Sequence, residues 1–260
     1  MAEYSTRGSV AGDRWRFTGL EFQVLWRHLG LDRLPYPLRY RPAAETQDEL
    51  DRRRREAATS ALARVTDTLY LQLAVLAEPT VRVEVFGFTG AQRTPVRMHA
   101  GIGGGRGVLA VQVPGPDTDT GGDVVLHAAG ASRIPDAIAA ALPAVPPGAM
   151  APLRFRRSDL QAGRGTVLAP AGATGIRHDA LALLKRPRTG LGEITAFAGA
   201  AYDSRPTDDG VALHWMDYAD DGRYTFREAT DIAVTPASET QLAADIRQLV
   251  ALVAARDPAR

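Results

Sequence analysis

The chain has 260 residues, of which 45% are apolar and 23% are charged, a composition typical of a soluble globular protein with a buried core. Lysine and arginine number 31 and aspartate and glutamate 30, giving a formal net charge of +1; this balance excludes a general electrostatic attraction to nucleic acid or acidic lipid. Cysteine is absent, which excludes disulfides, zinc sites with cysteine ligands and thiol catalysis.

The N-terminal sequence MAEYSTRGSV contains no apolar stretch of the kind found in signal peptides. No apolar run elsewhere approaches the roughly 20 residues that a membrane-spanning helix needs. We therefore expect a cytoplasmic protein that does not insert into membranes.

Two helices are predicted after a short strand, Arg14–Phe17. Thr18 followed by Glu21 forms a capping-box pattern, which predicts the beginning of the first helix. Thr46 and Glu49 repeat this pattern and predict the second helix, which carries the run RRRR. Consecutive residues on a helix point in all directions, so this run favours a solvated surface over a nucleic-acid patch.

A third helix, Asp67–Glu78, has leucines at helical spacing and ends before Pro79. The segments TVRVEVFGF, PVRMHAGI, VLAVQV and DVVLHA follow; they are rich in β-branched residues and separated by turn residues. They predict four strands of a meander. Apolar residues at helical spacing then predict a helix over Ile134–Leu142.

The second half repeats this organisation after a proline-rich connector, Pro143–Pro152. A strand in LRFRRSDL and a helix over Asp179–Lys185 are predicted first. The segments EITAFAG, VALHWMDY, RYTFRE and DIAVT predict four more strands. Ser238, with Gln241 three residues later, predicts the beginning of a final helix.

A constant separation relates the two halves: Pro79 and Pro187 are 108 residues apart. The same separation relates Asp123 to Asp231, Ile134 to Leu242, Ile138 to Ile246 and Leu142 to Val250. It predicts an α+β fold, a quasi-two-fold duplicated domain with pseudo-repeats over residues 10–148 and 149–260.

The segment DYADDGRYTFRE, Asp217–Glu228, matches the calcium-loop pattern D-x-[DN]-x-[DN]-G-x5-E except at Ala219. A calcium loop lies between helices, whereas the residues on both sides of this segment alternate as strands do. Asp-Asp-Gly is also typical of a hairpin turn. The corresponding turn of the first half contains no carboxylate, so we favour a hairpin over a metal site.

The glycine-rich segment Gly101–Gly107 is interpreted as a second hairpin turn. Arg106 occupies the last glycine position of the nucleotide fingerprint G-x-G-x-x-G, and the segment lies between strands instead of beginning a helix. None of the five histidines lies in a zinc-protease motif or beside a nucleophile elbow. No catalytic residue and no metal site is indicated, although an enzyme with dispersed residues stays open.

Several large apolar residues allow two interpretations. Phe86 and Phe88 share one face of a predicted strand, Met98 lies on the next strand, and Trp215 lies on the equivalent hairpin of the second half. They are either part of the core or part of a sheet surface that binds a partner.

Three segments carry a family resemblance: FTGLEFQVLWRHLGLDRLPYPLRYR near the start, and WMDYADDGRYTFRE followed by DIAVTPASETQLAADIRQLV near the end. They resemble the EspG family of ESX (type VII) secretion-associated proteins. The resemblance implies a cytoplasmic, non-enzymatic chaperone of actinobacteria with a central antiparallel sheet flanked by helical bundles. It implies binding to the PPE subunit of a PE–PPE heterodimer, at the apolar tip of its helical hairpin, without nucleotide or metal. Such binding keeps the client soluble and directs it to the secretion system.

One feature departs from the mycobacterial members, which often carry a long loop between the second and third strands of the first half. Here the connection from Thr89 to Pro95 is short. We therefore expect the client to be a PPE-like protein of another actinobacterium. We expect a monomer or weak homodimer when the protein is free. The partner-binding candidates are Phe86, Phe88, Met98, Ile102, Arg106 and Trp215. The alternative is an enzyme or ligand-binding protein with an unrecognised pocket.

Overall fold

A ten-stranded antiparallel sheet forms the centre of the computed structural model, which describes residues 12–156, 178, 181–201 and 209–256. The strands are β1 (Arg14–Phe17), β2 (Val81–Thr89), β3 (Thr94–Gly103), β4 (Arg106–Pro114), β5 (Gly121–Gly130), β6 (Leu153–Phe155), β7 (Arg188–Ala198), β8 (Val211–Tyr218), β9 (Arg223–Glu228) and β10 (Ile232–Pro236). The helices are α1 (Gly19–His28), α2 (Gln47–Leu62), α3 (Asp67–Ala77), α4 (Ile134–Ala141) and α5 (Glu239–Ala254).

The strand order is β1-β5-β4-β3-β2-β7-β8-β9-β10-β6. Read outwards from the central β2–β7 pair, each half has the same order of strands along the chain. The α+β class and the antiparallel sheet are therefore confirmed. The order is compatible with the duplication of residues 10–148 and 149–260, which stays a prediction.

The predicted helix beginnings are confirmed at α1 and α5. The Glu21 amide donates to the Thr18 hydroxyl at 3.2 Å, and the Thr18 amide donates to the Glu21 carboxylate at 2.8 Å. The Gln241 amide donates to the Ser238 hydroxyl at 3.1 Å. Of the helix predicted over Asp179–Lys185, residues 181–185 are helical and its first two residues lie outside the described part. Residues 157–160 of the strand predicted in LRFRRSDL also lie outside it.

The described helices lie on both faces of the sheet. On one face, α4 packs on β3 and β4, α5 packs on β2, β7 and β8, and the two helices contact each other. On the other face, α3 covers β3 and β4 while α1 covers β5. No helix within the described ranges is long and apolar enough to cross a membrane.

Trp215 lies in the core between the sheet and helices α4 and α5, where its side chain is 1% exposed. Two glycines, Gly87 and Gly192, face each other across β2 and β7 and leave room for the indole. A Cβ atom at Gly192 would lie 2.1 Å from the indole ring, so no larger residue fits there. Trp215 is thus a packing residue of the sheet centre.

We expect Trp215→Ala to lower the free energy of unfolding by about 3–5 kcal/mol, because a large fully buried aromatic leaves a cavity that the sheet cannot close. Urea denaturation measures this loss. Leu252→Ala on α5 is the control, because Leu252 is an exposed residue and its truncation is expected to change stability by about 0.5 kcal/mol or less. Equal stability of the two variants would contradict the assignment of Trp215 to the core.

The acidic segment Asp217–Glu228 forms the β8–β9 hairpin, as predicted. Arg223 donates from Nε and Nη2 to both carboxylate oxygens of Asp217 at 2.7 and 2.9 Å. The Asp221 carboxylate accepts hydrogen bonds from Arg186, the Tyr224 hydroxyl and the Ala149 amide. The aspartates of the hairpin therefore hold arginines and backbone groups in place.

The glycine-rich segment also forms a hairpin turn, between β3 and β4. Gly104 and Gly105 have φ angles of +56° and +75°, a conformation that residues with a Cβ atom rarely adopt. This pair of positive angles is the backbone of a tight two-residue hairpin.

Candidate partner-binding surface

The middle of the sheet has one face that helices α4 and α5 do not cover. There β2, β7 and β8 present partly exposed side chains in two adjacent rows across the strands. We call this surface the central strip and define it as Phe86, Phe88, Leu191, Glu193, His214 and Met216. Helix α5 packs on β2, β7 and β8 from the other face.

Two clusters of buried side chains border the central strip. One lies beneath α1, α2 and α3 in the first half. The other includes Leu183 from the helical residues 181–185, together with Tyr218, Tyr224 and Phe226. The strip therefore lies in a trough between two covered flanks of the same sheet face.

The apolar row of the central strip consists of Phe88, Leu191 and Met216, which are cross-strand neighbours. Phe86 packs edge-on against Phe88 with ring centroids 5.3 Å apart. The Tyr36 ring packs at a tilt against the Phe86 ring, with ring centroids 6.0 Å apart. Three aromatic rings thus form a continuous surface of the kind that is enriched at protein interfaces.

The second row places two polar side chains beside Phe86. Glu193 pairs across the strands with Phe86 on one side and His214 on the other. The His214 Nδ1 atom lies 3.6 Å from a Glu193 carboxylate oxygen, and the two side chains are 45% and 50% exposed. The Thr195 hydroxyl donates to the other oxygen of Glu193 at 2.6 Å.

A buried ion pair adjoins the central strip. Arg82 donates from Nε to Glu84 at 2.8 Å, and both side chains are 5% exposed. Burial raises the pKa of Glu84, and the Arg82 guanidinium counteracts that rise. The guanidinium also lies 4.2 Å from the centre of the Phe197 ring. This pair is enclosed by the protein and offers no charge to a partner.

The buried His99 side chain fixes the position of the backbone at Tyr36. Its Nδ1 atom lies 2.7 Å from the Tyr36 carbonyl oxygen, so the neutral ring donates its Nδ1 proton there. The imidazole is 1% exposed, and burial lowers its pKa to about 4 despite the bond to Tyr36, with the Arg82 charge adding to the decrease. His99 is therefore a neutral structural residue at pH 7.

We expect stability to fall as the pH falls from about 6.5 towards 4. The folded state keeps His99 neutral down to pH about 4, whereas an unfolded chain binds the proton near pH 6.5, so acid favours unfolding. The full shift corresponds to about 3 kcal/mol. Urea denaturation at pH 7, 6 and 5 measures the slope, and His99→Asn should show a smaller slope. An identical slope in both proteins would contradict the prediction.

The structure places two of the six sequence-predicted contact residues, Phe86 and Phe88, in the central strip. Met98, Ile102 and Trp215 lie instead in the core beneath α4 and α5. The physical reason is the register, in which Met98 pairs with Val85 and not with Phe86. Arg106 is exposed, but it lies in the β3–β4 hairpin, at the opposite end of the sheet from Phe88.

The sequence reasoning missed Tyr36, Leu191, Glu193, His214 and Met216. A signal for two of them was present in VALHWMDY, where His214 and Met216 alternate with Leu213 and Trp215. Alternation separates the two faces of a strand but does not tell which face a helix covers. The position of Tyr36 depends on a contact between residues 63 apart in the chain.

Comparisons with known proteins agree with this architecture. No curated protein matches the chain. A solved structure of the Mycobacterium tuberculosis type VII secretion system chaperone EspG5, in complex with a PE25–PPE41 dimer, matches with a TM-score of 0.58 and 15% identity, covering 92% of this chain and 96% of that one. At this identity the match shows a shared fold. The model of the EspG family matches residues 18–248, and the chain therefore belongs to the EspG family.

Proposed function

We propose that this protein is a type VII secretion chaperone that acts in the cytoplasm. It binds the helical tip of a PPE-like subunit of a PE–PPE-type heterodimer, keeps that subunit soluble and directs it to the secretion system. Family membership and the complex of the structurally similar EspG5 with PE25–PPE41 support this proposal. The observation that carries it is the trough with its partly exposed aromatic surface, formed by Tyr36, Phe86 and Phe88.

The chemistry of the central strip suits an apolar helical tip. Burial of apolar surface contributes roughly 25 cal/mol per Å² before the cost of association. Aromatic residues with few rotatable bonds are the usual anchors of such contacts. A polar pair, Glu193 and His214, lies beside these anchors, which is compatible with a complex that must later dissociate.

The proposal involves binding without catalysis, metal or nucleotide. It places the contact on the sheet surface, since the β2–β3 connection consists only of residues 90–93. We further propose that the two halves are copies of one unit whose flanking helices form bundles. The identical order of strands in the two halves supports that duplication.

Co-expression tests the proposed function. The tagged protein is expressed with each PE–PPE-type pair of its own organism, purified through the tag and analysed by size-exclusion chromatography. A stoichiometric complex with at least one pair is the expected result. A folded, monodisperse chaperone that retains no pair across the whole set would overturn the proposal.

A further inference from the structure

We propose that the client carries a lysine or arginine in the middle of its apolar tip, and that Glu193 receives it. This inference rests on the proposed function, because it specifies the chemistry of the partner that the central strip binds. One carboxylate, that of Glu193, lies among the apolar side chains of the strip.

Glu193 is the acidic residue of the central strip, and half of its side chain is exposed. Its neighbours in the strip are Phe86, Leu191 and His214. Glu84, the acidic residue nearby on β2, is buried and bonded to Arg82. Glu193 is therefore the accessible carboxylate of the central strip.

Among the described residues, only one of the two Glu193 carboxylate oxygens has a close hydrogen-bond donor. Thr195 donates to Oε1 at 2.6 Å. Within the part of the chain that the structure describes, the His214 Nδ1 atom lies 3.6 Å from Oε2, which is longer than a hydrogen bond. Water can solvate this oxygen while the strip is open.

A helical tip that covers the apolar row must displace that water. A carboxylate that loses its solvation without gaining a donor opposes binding strongly, and buried charges in proteins are accordingly paired. A tip with only apolar residues would therefore bind less tightly, because it would bury the Glu193 carboxylate without a partner. A basic side chain at that point removes the penalty and discriminates between clients.

The other charged groups near the strip already have contacts within the protein. Burial raises the pKa of both Tyr36 and Glu84, and the negative charge of Glu193 adds to each rise. The Arg97 side chain, next to Phe86 on β3, is 2% exposed and donates to the Thr118 carbonyl oxygen. Arg93 stacks on Phe88 with its guanidinium 4.8 Å from the ring centre, at the hairpin end of the strip.

The aromatic rings around Glu193 provide a second attraction. A cation that reaches Glu193 passes beside Phe86 and Tyr36, and the faces of such rings attract cations. The position thus combines a carboxylate with aromatic faces, an arrangement that suits a long basic side chain whose methylene groups also bury apolar surface.

The test uses the PE–PPE-type pair that co-purifies with the chaperone and measures its Kd by calorimetry at 50 and 300 mM salt. Glu193→Gln keeps the shape and removes the charge; we expect about tenfold weaker binding and a smaller salt dependence. Each lysine or arginine of the client tip is then changed to methionine. One of these changes should weaken binding to the wild-type chaperone but have little further effect on Glu193→Gln.

The outcomes separate this inference from the proposed function. Unchanged affinity and salt dependence in Glu193→Gln would overturn the inference, while loss of binding in a Phe86 variant would keep the proposed function. Weaker binding by Glu193→Gln without coupling to any basic client residue would also overturn it, since the carboxylate would then bind backbone amides of the tip. If no pair binds at all, the proposed function fails and the inference fails with it.

Discussion

Replacing Phe86 and Phe88 together by serine is expected to weaken binding of the PPE-like client on the order of 100-fold. Aromatic anchors at the centre of an interface contribute about 2 kcal/mol or more each when truncated, and about 1.4 kcal/mol corresponds to a tenfold change in Kd. The two rings pack on each other, so their effects will not be strictly additive. Calorimetry with the purified client measures the change.

The control for this variant removes apolar surface elsewhere. Tyr70 and Leu71 on α3 are 53% and 45% exposed, and neither belongs to the central strip. Serine at both positions should leave the Kd within about twofold of the wild-type value, because a few central residues carry most of the energy of an interface. Thermal denaturation of both variants shows whether each remains folded at the temperature of the binding assay.

Two results would contradict the assignment of the central strip. One is unchanged client binding by the folded Phe86 and Phe88 variant. The other is a large loss of binding in the Tyr70 and Leu71 variant, which would move the interface to α3. Either result would leave the family membership intact and change only the location of the surface.

Much of the fold could be predicted because the determining signals are local. A capping residue acts on amides within one turn, so Thr18 and Ser238 indicated the helix beginnings correctly. Alternation in VALHWMDY predicted a strand that the structure places at Val211–Tyr218. The hairpin at Asp217–Glu228 was predicted for the same reason, because turn residues and flanking strands are read within a short window.

The candidate site was predicted only in part, because it depends on registers and on packing between distant segments. Met98 lies on the same face of the sheet as Val85, because the turn at residues 90–93 sets the register that pairs these two residues. There Gly90 and Arg93 both have positive φ angles, which the sequence does not specify for an arginine. A one-residue change of register would have placed Met98 beside Phe86. Helices α4 and α5 pack on strands that are distant from them in the sequence, so no short segment indicates which face of the sheet they cover.

Asp217→Ala is expected to lower the free energy of unfolding by about 3–5 kcal/mol, since removing one partner of a buried ion pair leaves the other charge without compensation. Asp217 and Arg223 are 4% and 2% exposed. The Arg223 side chain also donates to the Pro143 carbonyl oxygen at 2.9 Å, and its backbone amide donates to Pro146 at 2.8 Å. The pair therefore attaches the proline-rich connector to the second half of the sheet.

Two further variants show whether charge burial is the cause of the Asp217→Ala effect. Asp136→Ala breaks an exposed pair, whose Arg247 and Asp136 side chains are 50% and 38% exposed, and should change stability by about 1 kcal/mol or less. The double variant Asp217→Leu with Arg223→Met replaces both charges by apolar groups and should recover much of the lost stability. Urea denaturation compares all three with the wild type. If Asp217→Ala is as stable as Asp136→Ala, the acidic hairpin does not hold the connector, and its aspartates require another explanation.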